Sequence, residues 1–161
     1  MQSFVEELAL CVAVNGAKGP ALLWSEDPTV PPALLGLSRP ARPESCAGSS
    51  VPGGPDTEEL AAELGRTLQL RVRSSYRFLT AGSPATEEAP GDAESTVTVL
   101  EGACRCVLSR TGEDPAPRPS HPLGMRLRSG DTLFVPRGHT YRLSEVHAPT
   151  TLLELRLRGP D

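Results

Sequence analysis

The sequence predicts an all-β sandwich or barrel, led in by a short helix and an irregular arm. Three observations predict it. Among 161 residues there are 17 prolines and 15 glycines, which break or weaken helices every few turns and exclude a helical bundle. From Leu68 onward, short apolar runs alternate with polar residues at period two, as half-buried strands do. These runs are closely and regularly spaced and are separated by Pro/Gly turn signals, a pattern that belongs to sandwiches and barrels rather than to alternating βαβ units.

At the N-terminus, the apolar stretch over 4–14 reads first as a short helix, although Val12 and Val14 also allow a strand and the run is too short for periodicity to decide. Ser3 with Glu6 fits a capping box, and Asn15-Gly16 is a stop signal. From Gly16 to Pro55 the chain is rich in Pro, Gly and Ser and reads as mostly irregular. Two apolar islands interrupt it, Leu22-Leu23-Trp24 and Leu34-Leu35. These either dock on a partner or pack on the chain's own domain. Asp56 with Glu59 resembles a cap for a two-turn helix that Gly65 ends. The expected division is an N-terminal arm over 1–65 and a β domain over 66–161.

Strands are expected at 68–73, 76–79, 97–99, 104–108, 123–128, 132–135, 140–143 and 151–157. Long loops are expected at 81–95 and 109–122. Glu101-Gly102, Ser129-Gly130-Asp131 and Pro136-Arg137-Gly138 mark turns.

Charge narrows the function classes. The net charge is −4. Residues 1–65 carry −6 and residues 66–161 carry +2, from counting bases and acids on each side. The arginines alternate with apolar residues instead of forming a basic cluster, so they read as solvated strand faces and direct nucleic-acid binding is not expected. No apolar run is long enough to span a membrane as a helix. No secretory signal is read at the start, and an intracellular, reducing compartment is expected. Cys104 and Cys106 share a strand face, and with Cys11 and Cys46 they read as structural thiols. No phosphate loop, dinucleotide fingerprint or nucleophile elbow is present. His121, His139 and His147 fall in or beside loops.

The segment Gly130-Asp131-Thr132-Leu133-Phe134-Val135-Pro136-Arg137-Gly138 resembles the second sequence motif of the cupin superfamily. Val99-Leu100-Glu101-Gly102 resembles the end of the first motif. The resemblance covers roughly residues 66–158 and implies a double-stranded β-helix, the RmlC-like cupin jelly roll. Gly102, Gly130, Asp131, Pro136, Gly138 and Tyr141 would then be its fold-motif positions. Metal-dependent cupins hold their ion with histidines and a glutamate, and this sequence departs at each of those positions. The second-motif histidine slot holds Tyr141, and the asparagine slot after it holds Glu145. The glutamate slot holds Ser95, with Glu94 beside it. The remaining histidine slots fall on Ala89 and Gly91, or on Glu88 and Pro90. His139 and Glu94 are the nearest stand-ins for a degenerate metal site.

Phe134–Leu143 also resembles the cupin of the centromere protein C family, which likewise has tyrosine in place of the metal histidine. That resemblance implies a homodimerising, non-catalytic module without a cofactor and a nuclear, kinetochore-type scaffold. Its arginine-rich nucleosome-binding motif is not visible upstream here. The expectation is therefore a homodimer that recruits a protein partner through Leu22, Leu23, Trp24, Leu34 and Leu35 of the arm. The alternative is a small-molecule-binding enzyme or sensor.

Overall fold

The computed structural model describes residues 1–25, 27–38, 50–88, 93–111 and 122–159, with the backbone alone at 86–88. Three helices and ten strands run in the order α1 (Gln2–Asn15), β1 (Ala21–Trp24), α2 (Val30–Ser38), β2 (Ser50–Pro52), α3 (Pro55–Leu68), β3 (Arg71–Leu79), β4 (Thr86–Glu88), β5 (Glu94–Glu101), β6 (Ala103–Arg110), β7 (Leu123–Arg128), β8 (Asp131–Val135), β9 (His139–Ser144) and β10 (Thr150–Arg158). All strand pairs are antiparallel. One sheet has six strands in the order β1-β8-β5-β10-β3-β2, and the other has four in the order β4-β9-β6-β7. The two sheets pack face to face as the expected cupin jelly roll.

The helices form a third layer. Side chains alternate across a strand, and both faces of the six-stranded sheet are buried. Tyr76, Phe78, Leu100, Phe134, Leu153, Leu155 and Leu157 meet α1, α2 and α3 on one face. Leu79, Val97, Val99, Leu133, Val135 and Leu152 fill the barrel on the other. In α1 the buried positions are Phe4, Val5, Leu8, Ala9 and Val12, a stripe of helical spacing that faces the sheet.

Several local expectations are corrected. The stretch 16–55 is not mostly irregular where it is described: it carries β1, α2 and β2. Pro31 and Pro32 lie in the first turn of α2, where a missing N–H costs nothing because no partner is available there. Gly65 does not end α3, which continues to Leu68 and stops at Gln69 in a left-handed conformation (φ 56°). Gly65 serves close approach instead, since a Cβ there would come 2.7 Å from the Leu70 carbonyl. The strand expected from Leu68 begins at Arg71 and runs unbroken to Leu79. Ser74, in the middle of this strand, is held by its hydroxyl donating to Glu58 Oε1 at 2.6 Å. The Ala81–Ser95 loop contains β4, which pairs with β9. The N-cap of α3 is Gly54, with Pro55 in the first turn, so Asp56 lies inside the helix. The cap of α1 is Met1, without a side-chain bond.

The motif turns fall where the sequence places them. Gly102, Gly130 and Gly138 all have positive φ. Asp131 closes its turn by accepting the Arg128 N–H at 2.7 Å. Residue 65, the expected end of the arm, lies within α3, and α1, α2 and α3 share one core with the sheet.

Candidate functional site at the mouth of the barrel

The barrel interior is built by alternation from both sheets. The four-stranded sheet contributes Cys104, Cys106, Leu108, Leu127, Tyr141 and Leu143, all at most 3% exposed. Tyr141 stands across from Leu108, and Leu143 across from Cys106. Tyr141, which the motif resemblance aligns with a metal histidine, is a buried phenol packed among aliphatic side chains. Burial pushes the Cys104 thiol up to about 11 and the Cys106 thiol up to about 12. Both are protonated, apolar filling at neutral pH, as expected for structural thiols.

One end of the interior is polar. Glu154, 2% exposed, accepts from Arg156 Nε at 2.9 Å and from Arg77 Nη2 at 3.4 Å. Arg77 is as deeply buried, while Arg156 reaches solvent. Register sets Arg156 opposite Ser95, and Ser95 opposite Val135. Ser95 Oγ is buried and makes no hydrogen bond among the described residues. His139 follows the turn after Val135, with Nδ1 3.3 Å from the Arg137 carbonyl oxygen.

Glu94 precedes Ser95, so alternation turns it toward the helix layer. A Cβ on Gly16 of that layer would lie 3.8 Å from Glu94 Oε1. Its other neighbour is Arg137 Nε at 4.0 Å. Glu94 and His139 thus stand on opposite sides of the sheet plane and do not form one donor set. Among the described residues no three His, Cys, Asp or Glu gather within reach of one ion. Among the described residues, Ser95, Tyr141 and the aliphatic lining do not supply the imidazole–carboxylate set that such metals favour.

Among the arm residues, Leu34 is fully buried in the helix-side core. Leu23 and Leu35 pack against that core, and Leu22 packs against the barrel core. Of these five docking candidates Trp24 alone stays open, 63% exposed. Cys46, His121, Ala89, Pro90, Gly91 and most of the 109–122 loop lie outside the described residues. The Arg77–Glu154–Arg156 group escaped sequence reasoning, because only register shows which strand arginines turn inward.

No protein-family model matches the chain, and no curated protein matches it. Solved structures do. The vicilin of Solanum melongena superposes with a TM-score of 0.51 at 16% identity, covering 76% of this chain and 32% of that one. The HEPD of Streptomyces albus, bound to 2-hydroxyethylphosphonate and Fe(II), gives 0.44 at 24% identity, over 55% of this chain and 18% of that one. The CENP-C cumin domain of Drosophila melanogaster gives 0.46 at 11% identity, over 71% and 70%. The chain spans about a third or less of the vicilin and HEPD chains. The shared feature is the cupin fold, and these neighbours include both an iron-bound protein and a CENP-C domain.

Proposed function

We propose that this chain is a non-catalytic cupin-fold module that pairs with a second copy and serves protein assembly. The observation that carries the reading is the filled barrel: Tyr141, Leu108, Cys106, Val97 and Leu133 occupy the volume in which a cupin enzyme holds metal and substrate. Pairing is supported by β1, the outermost strand of the six-stranded sheet. It is apolar (Ala-Leu-Leu-Trp), and its outer edge is unpaired among the described residues. Two such edges related by a two-fold axis would join two sheets and cover Trp24. Light scattering at tens of micromolar tests this. A dimer that Trp24→Ser converts to monomer is expected, and a monomeric wild-type chain overturns the pairing. A centromere-type scaffold is the narrower form. A tagged chain concentrated at centromeres would support it, and a diffuse signal would remove it while leaving assembly standing.

One observation favours a second reading. The Ser95 hydroxyl, without a partner among the described residues, lies beside Arg156, and together they offer a donor and a positive charge to a small anion. Calorimetric titration with small carboxylates distinguishes the two readings, since heat that disappears in Ser95→Ala would favour a sensor.

A further inference from the structure

We propose that the outer face of the four-stranded sheet is a docking surface for an acidic protein segment. Alternation decides which residues it presents. Cys104, Cys106, Leu127 and Leu143 point into the barrel, so Arg105 of β6, Arg126 and Arg128 of β7, and Arg142 of β9 point out. All four are exposed. Arg105 lies directly across from Arg126, and Arg142 lies between Val107 of β6 and Glu87 of β4. Like charges placed directly opposite on a sheet destabilise it. Arg105 and Arg126 stand in that relation, and among the described residues Arg126 and Arg128 form no ion pair.

The face already shows how it holds a carboxylate. Glu145 Oε1 accepts from Arg105 Nη1 at 3.0 Å. Glu145 makes that reach from a left-handed backbone (φ 52°), which is uncommon for a residue with a side chain. Small residues between the arginines leave room for more. A hollow of about 280 Å³ lies among Arg105, Gly124, Arg126 and Glu145. A second, of about 270 Å³, lies among Val107, Ser109, Thr140 and Arg142. The guanidinium fork matches the two oxygens of a carboxylate.

Nucleic acid fits the same face less well. The outward positions carry no aromatic side chain on which a base could stack. The chain as a whole is acidic, and that charge repels a long polyphosphate beyond the small basic face. A short acidic segment of a protein meets neither obstacle.

Fluorescence anisotropy on the full chain tests the proposal, with a short labelled peptide alternating glutamate and serine as the probe. Binding at low salt is expected, weakening as salt rises. The double variant Arg126→Glu/Arg142→Glu is expected to lose about tenfold in affinity. The same variant should gain binding to a lysine–serine peptide that the wild-type chain ignores, which shows that its sheet is folded. Absence of wild-type binding to the glutamate peptide overturns the proposal. So does unchanged affinity in the double variant. Displacement of the peptide by oligothymidylate at equal charge concentration also overturns it, and would make the face a nucleic-acid surface.

Discussion

On its helix side the six-stranded sheet presents Tyr76, Phe78, Phe134, Leu153 and Leu155, and on its barrel side Val97, Val99, Leu133 and Leu152. The sheet's own large rings lie on the helix side, against α1, α2 and α3, and its apolar barrel-side positions are aliphatic. Polar groups differ in the same sense. On the helix side the fully buried pairs are neutral: Tyr76 Oη and Thr57 Oγ1 are 2.7 Å apart, and Thr98 and Thr132 share a hydroxyl bond of 2.9 Å. On the barrel side the buried polar group is ionic, with Glu154 between Arg77 and Arg156. The fully buried polar pairs are thus neutral on the helix side, whereas on the barrel side aliphatic filling surrounds one charge cluster.

The largest break in this comparison is expected at Glu154. Glu154→Leu leaves the Arg77 charge buried with its carboxylate removed, and costs about 3–5 kcal/mol by urea unfolding. Arg77→Leu/Glu154→Leu should recover most of that loss. If the double variant is no more stable than the single, the cluster is not a matched ion pair. On the helix side, Leu34→Ala is expected to cost about 2–5 kcal/mol. A loss well below that range would mean that α2 contributes little to the cooperative core. Tyr76→Phe keeps the ring but strands the Thr57 hydroxyl, for about 1–3 kcal/mol, and Thr57→Val in the same background should return part of it.

The smallest expected effect is a pH dependence of the barrel side. The Cys104 and Cys106 thiols titrate near 11 and 12 when folded, above their ordinary value of 9.0. Between those values the unfolded chain loses protons that the folded chain keeps. Their contribution is therefore complete below about pH 9 and is lost as pH rises toward 12. Urea midpoints should fall more steeply above pH 9 in the wild type than in Cys104→Ala/Cys106→Ala. Equal slopes would show that these thiols carry none of the alkaline instability.

The jelly roll was legible because its turns and faces are local. Gly102, Gly130 and Gly138 adopt the positive φ their turn positions need, and Cys104 and Cys106 share the buried face that their spacing requires. The helical layer was less legible. Pro31-Pro32 reads as a break until a helix start absorbs it, and Gly65 reads as a stop until Leu70 folds back against it. In the candidate site, the inward face of Tyr141 was legible from strand alternation. The inward turn of Arg77 was not, since its partner Glu154 lies 77 positions away and only strand register joins them. Leu34 and Trp24 looked alike as apolar islands. One is buried and the other is open, a difference set by tertiary packing that a single sequence does not display.

The place of β10 has a consequence for how the chain reaches this state. It lies between β3 and β5 at the centre of the six-stranded sheet, yet it is the last of the described strands in chain order. Its pairing with β3 joins residues as far apart as Arg71 and Arg158. Loop closure over such separations is costly and slow. Until Thr150–Arg158 arrives, β3 and β5 have no partner between them, and their facing backbone groups stay open to other chains. During synthesis the half-made sheet is therefore a candidate client for chaperones, and its closure is a late event.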